Sequence, residues 1–167
     1  VYYTYLFRGP NPGLGGDVMR IMAIKRENPL AWMYMPEVLR RIGEFCTKYN
    51  TDSNPELLCR SFELQFTSDN PQILLLVSLL DDKVTGHVMC SVDDWCGTRY
   101  LTIMQYELDE SFDRNLLDAA FKVLKSWGLA RGATQAQLLT PNEARSRTFS
   151  RFFGFKPHRI LMRRSLL

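Results

Sequence analysis

From Ile73 to Leu80 the chain is apolar at every position except Ser78. A run this short falls well below the ~20 residues that cross a bilayer. Turn-forming residues close it on both sides, Asn70-Pro71 before and Asp81-Asp82 after. The stretch from Gln72 to Leu80 therefore reads as a strand, and an unbroken apolar strand needs cover on both of its faces. A sheet with helices packed against each side satisfies that need.

The residues after it extend the pattern. Lys83 to Val92 alternates as a second strand, with Gly86 inside it as the sign of a bulge or close packing. Asp93 to Gly97 reads as a turn, and Tyr100 to Leu108 as a third strand. Phe112 to Arg131 has the spacing of a long helix, with Leu116, Leu117, Ala120, Val123, Leu124 and Trp127 forming its apolar stripe. Gly132 stands where a left-handed C-terminal cap belongs. Thr134 to Leu139 is a short strand, Asn142 to Phe153 a helix opening after Pro141, and Ile160 to Leu166 a closing strand. A helix between two strands of one sheet favours a parallel pair.

The N-terminal half is less regular. Val1 to Phe7 alternates aromatic and small residues, as in a strand or an arm lying on another surface. Gly9 to Gly16 is rich in Gly and Pro and has no apolar face, so residues 1–16 read as an extended arm and residues 17–167 as one domain. No Gly-Lys-Ser/Thr follows the glycines, which weakens a phosphate-loop reading. Asp17 to Ile24 fits either a short strand or a helical turn. Pro36 to Tyr49 has helical spacing at Val38, Leu39, Ile42, Phe45 and Cys46. Asn54-Pro55-Glu56 opens a second helix with a cap, a proline at the first helical position and an acid in the first turn.

Composition narrows the class. The chain has 167 residues, enough for one domain, and a formal net charge of +3 that by itself points to no polyanion. Cys46, Cys59, Cys90 and Cys96 show no C-x-x-C spacing, and His87 and His158 lie far apart. Reduced, partly buried thiols in an intracellular protein are expected rather than a zinc site or a disulfide framework. No basic stretch leads into an apolar one at the N-terminus, so neither a signal peptide nor a membrane partner is expected.

The order strand, strand, strand, long helix, short strand, short helix ending in Gly-Phe, last strand resembles the GNAT (N-acetyltransferase) superfamily. The resemblance covers Gln72 to Leu167 and is carried most by Leu138 to Ala144 and by Phe152-Phe153-Gly154-Phe155. It implies an α/β (α+β) fold, with a mixed, mainly antiparallel central sheet flanked by helices. In that family the pyrophosphate of acetyl-CoA rests on a Gln/Arg-x-x-Gly-x-Gly/Ala loop between the third meander strand and the long helix, where free N–H groups and the helix dipole favour an anion. The corresponding segment, Glu107 to Asn115, contains no glycine and places Asp109, Glu110 and Asp113 at the helix start. Those acids suit the helix dipole themselves and would repel a pyrophosphate. Arg114 is the residue there that could meet a phosphate, and Leu138, Thr140 and Asn142 complete the cofactor-binding set that the resemblance implies.

For catalysis the resemblance implies a Tyr on the short helix as general acid, and that position is Ser150, beside Phe149. It also implies a carboxylate base on or after the second or third strand, for which Glu107 is first and Asp93 or Asp94 second. A strand-end surface acid is the plainer reading of Glu107. Phe149, Phe152, Phe153 and Phe155 have the spacing of core residues and could also line a cleft. Arg145, Arg147 and Arg151 share the short helix, and Lys156, His158, Arg159, Arg163 and Arg164 follow it. That face is either solvated or suited to nucleic acid or an acidic partner.

Three readings result. In the first, the chain is a GNAT-fold protein with a degenerate site and no cofactor. It then acts as a structural or interaction module that meets protein partners through the N-terminal arm or the basic C-terminal face. GNAT-like folds occur among virion proteins of some tailed phages, so the virion is one setting and the cytoplasm the other. In the second, it is an acetyl-CoA-dependent N-acyltransferase using Glu107. In the third, the basic C-terminus associates with nucleic acid.

Overall fold

Every residue from Leu74 to Leu79 is buried, and the alternation of their side chains builds two cores, one on each side of the sheet. The computed structural model describes residues 4–8, 18–25, 28, 32–49, 54–66, 68, 71–109, 114–138, 140 and 143–156. The strands are β1 (Thr4–Arg8), β2 (Val18–Ile24), β3 (Ile73–Leu80), β4 (Lys83–Trp95), β5 (Thr98–Leu108) and β6 (Gln135–Leu138). The helices are α1 (Met35–Lys48), α2 (Pro55–Phe66), α3 (Arg114–Ala130) and α4 (Glu143–Phe153). The six described strands lie side by side in chain order, antiparallel throughout except for the parallel β5–β6 pair. A mixed, mainly antiparallel sheet flanked by helices is the architecture the sequence implied.

On one face Leu74 and Leu76 pack with Ile21, Val88, Cys90 and the apolar stripe of α3, and Phe149 of α4 joins them. On the other, Leu75, Val77 and Leu79 pack with Met22, Ile24 and Met89 under Val38 and Ile42 of α1 and Phe62 of α2. Asn54 caps α2 as expected, its Oδ1 accepting from the backbone N–H groups of Glu56 and Leu57 at 3.0 and 3.2 Å. Gly132 takes φ +79°, and the N–H groups of Gly132 and Ala133 donate to the carbonyls of Leu129 and Gly128, a Schellman closure of α3.

Some boundaries move. The segment left open between strand and helix is strand β2, and the aromatic N-terminal stretch supplies β1 at the sheet edge. The bulge signalled by Gly86 is present: Ser78 faces Gly86 and Leu79 faces Val84, so Thr85 is the extra residue. The turn expected over Asp93 to Gly97 is tighter than that. β4 continues to Trp95, and Cys96-Gly97, at φ +49° and +79°, make a two-residue hairpin turn of primed type. The closing strand expected over Ile160 to Leu166 and the segment Gly9 to Gly16 lie outside the described residues.

The cysteines separate by depth. Cys90 lies in the α3-side core, where burial pushes its thiol pKa up to about 12. Burial also raises that of Cys59, which is half-buried on α2, while Cys46 is buried on α1 and Cys96 is exposed at the hairpin tip. Thiolate is the reactive form. A disulfide reagent added to native protein at pH 8 should therefore release close to one equivalent rapidly, from Cys96, and a Cys96→Ser variant should lose that burst. A rapid burst from Cys90 would contradict its placement.

Candidate active site

The feature that shapes the site is a second bulge, in the middle of β5. Met89 faces Gln105 and Cys90 faces Ile103, which leaves Met104 without an opposite residue on β4. Strand β6 runs beside β5 only from Tyr100 to Ile103 in the described pairing. From Met104 to Leu108, β5 keeps β4 on one side and has no described strand on the other. A bulge bends its strand and re-aims the side chains that follow. Here those are Gln105 and Glu107 toward α1, and Tyr106 toward α3 and α4.

Helix α1 meets this end of β5 through two charged side chains seven residues apart on one face. Arg41 clasps the carboxylate of Asp109 with Nη1 and Nη2 at 2.9 and 3.1 Å, and its Nη2 also donates to the carbonyl of Val84 at 2.8 Å. Its Nε donates to Glu37 at 3.1 Å, and with Asp109 as the main partner its guanidinium is held above the usual arginine range. At the end of the helix, Lys48 Nζ lies 3.1 Å from Glu107 Oε1. Glu107 holds that ammonium charged beyond the ordinary lysine range. The Lys48 side chain is 60% exposed and that of Glu107 only 16%, so the lysine can move and the carboxylate is held.

Behind Glu107 runs a buried polar chain. Gln105 Nε2 donates to Cys46 Sγ at 3.4 Å, and Gln105 Oε1 lies 3.3 Å from His87 Nε2. With that amide orientation the proton of His87 sits on Nε2. His87 is also the cross-strand partner of Glu107, on the same face. On the opposite face the Tyr106 ring lies 4.9 Å from that of Phe149, which also touches Phe153 at 5.2 Å and Phe155 at 5.5 Å. These phenylalanines are core, as their spacing suggested, whereas Phe152 is exposed.

The sequence-derived residues are only partly brought together. Glu107 stands at the end of β5 that has no second described neighbour strand, with Lys48 as a partner. Leu138 is the last residue of β6, opposite Ile103, and Thr140 is half-buried just beyond it. Ser150 is exposed on α4, the helix that packs on the face of the sheet away from Glu107. Asn142 and the side chain of Arg114 lie outside the described residues, as do Glu110 and Asp113. Asp93 and Asp94 sit at the far end of the β4–β5 ladder, where Asp93 accepts from Ser91 and Asp94 pairs with Arg99. Asp109, one of the acids expected at the helix start, is paired with Arg41 of α1.

The sequence reading missed Arg41, Lys48, His87, Gln105 and Cys46. A signal was present for two of them: His87 and Gln105 are polar residues set directly beside apolar ones inside their strands, Val88-Met89 and Ile103-Met104. Arg41 and Lys48 carried none, since their partners lie 68 and 59 residues away.

No protein-family model matches the chain, and no curated protein matches it in sequence. Solved structures do match in shape. An aminoglycoside N-acetyltransferase, AAC(6')-Iy, in complex with CoA superposes with a TM-score of 0.69 at 14% identity, over 95% of this chain and 99% of that one. A predicted acetyltransferase with acetyl-CoA from Clostridium acetobutylicum gives 0.68 at 11% identity, over 89% and 96%. A probable acetyltransferase gives 0.62 at 16% identity, over 89% and 97%. The fold is that of GNAT acetyltransferases, over nearly the whole of each structure compared.

Proposed function

We propose that this chain is an acyl-CoA-dependent N-acyltransferase, with acetyl-CoA as its simplest donor and Glu107 as the base for the accepting amine. The observation that carries the reading is the held carboxylate of Glu107, three residues past the bulge at Met104, on a stretch of β5 that has no described strand on its second side. An edge of backbone N–H and C=O groups fits an extended, amide-bearing ligand. The backbone of Gln105 to Leu108 would hold such an arm, with Leu138 and Thr140 at the end of β6. Arg114 and Asn142 are the residues that the resemblance adds at the phosphate end.

When bound, acetyl-CoA supplies an acyl group on a thioester: the C–S bond breaks, an N–C amide bond forms, and of the two protons the ammonium gives up one ends on sulfur and one in solvent. The chain's part is proton handling and placement. Glu107, held beside Lys48, can take the proton that leaves the amine, a role that calls for a held carboxylate within hydrogen-bond reach. Gln105 and His87 fix the strand behind it through their buried hydrogen bond.

A second reading keeps the fold without the chemistry, as a structural or interaction module of the kind found in virions. The observations that favour it are the glycine-free segment from Glu107 to Asn115 and the exposed Ser150 in place of a tyrosine. Titration of acetyl-CoA by calorimetry separates the two. Saturable binding at micromolar ligand is expected for the enzyme. No heat and no thermal shift up to millimolar acetyl-CoA would overturn it.

A further inference from the structure

The charges around Glu107 differ from those of a site made for a polycation. At this end of the sheet α1 supplies cations to three carboxylates: Asp109 and Glu37 have Arg41, and Glu107 has Lys48. A simple amine that approaches Glu107 as an ammonium must push Lys48 aside, and two cations then share one carboxylate. A ligand with its own carboxylate avoids this, because Lys48 can move from Glu107 to the incoming anion. Lys48 is suited to that exchange, being largely exposed, with three donors on a flexible stem and the Tyr49 ring 5.3 Å away as a resting surface.

Resting on the acyltransfer reading above, we propose that the acceptor is an amino acid, a small amine that carries its own carboxylate. Its ammonium pairs with Glu107 and its carboxylate with Lys48, so that one ion pair is exchanged for two and no charge is left alone. Lys48 is then a specificity-determining residue, and the base remains Glu107.

The test uses two mixtures, the twenty free amino acids and the corresponding C-terminal amides, each incubated with acetyl-CoA and read by mass spectrometry. Saturation-transfer NMR on the same mixtures, without cofactor, reads binding independently of turnover. Wild type is expected to acylate at least one free amino acid ten or more times faster than its amide, and to show saturation transfer to the free acid. Lys48→Met should bring the two rates within twofold, and Lys48→Arg should keep the preference. Equal rates for acid and amide in wild type overturn the acceptor assignment and leave acyl transfer standing. Saturation transfer to amino acids without acylation upholds the binding assignment and removes the acyltransfer reading. Silence in both measurements overturns both.

Discussion

Glu107→Gln lowers kcat for acyl transfer by about 10²–10⁴-fold, the usual contribution of a positioned general base, while acetyl-CoA binds within twofold of wild type. The amide keeps the size of the side chain and still accepts a hydrogen bond from Lys48, so the Lys48 contact at 3.1 Å survives in weakened form and the fold should be unaltered. What is lost is the ability to take a proton. The measurement is thiol release at saturating acetyl-CoA and acceptor, with calorimetry as the control for binding. A Gln variant with wild-type kcat would remove Glu107 from the chemistry. A variant that fails to bind acetyl-CoA would instead assign the residue to the cofactor.

The second large effect is on stability. Phe149→Ala should cost about 3–5 kcal/mol, the range for emptying a buried phenylalanine site. At roughly 2–4 °C per kcal/mol for a chain of this size, Tm should fall by about 6–20 °C. Phe149 is 2% exposed and its ring meets those of Tyr106, Phe153 and Phe155. It therefore joins α4 to β5 and to the Gly154-Phe155 segment that follows the helix. Phe149→Leu should recover about half of the loss, because it refills most of the volume without the ring contacts. A scanning calorimetry trace of the alanine variant that overlays wild type would contradict the packing.

Both predictions depend on features that differ in how plainly the sequence displays them. Local signals were legible. Asn54-Pro55-Glu56 announces the start of α2, Gly132 the end of α3, and the apolar run at Ile73 to Leu80 the central strand, because each rests on the conformational or hydration preferences of a few adjacent residues. The strand extension over Asp93 to Trp95 was not legible, since all three side chains are exposed and leave no alternation to detect. The bulge at Met104 leaves no mark either: a methionine is at home in any strand, and the extra residue shows only against β4. Glu107 was found through its place at the end of the third strand. Its charge environment was not, because the contacts of α1 with β5 join residues far apart in the chain, and neither Arg41 nor Lys48 differs locally from any surface cation.

The matching of strand order to chain order has a consequence for how the molecule is made. Each described strand pairs with the one before it in sequence, so the sheet can grow outward from the β3–β4–β5 hairpins as the polypeptide leaves the ribosome, while β2, made before α1 and α2, waits for β3. The tight β3–β4 and β4–β5 connections can close first and present one apolar face to α1 and α2, which are already synthesised. The parallel β5–β6 pair must wait for α3 to cross over the sheet. The strand edge assigned to the donor is thus bordered by the described strand pair that is synthesised last. Truncated chains ending before Gln135 would carry the Glu107 carboxylate and its lysine, yet lack the second wall of the cleft.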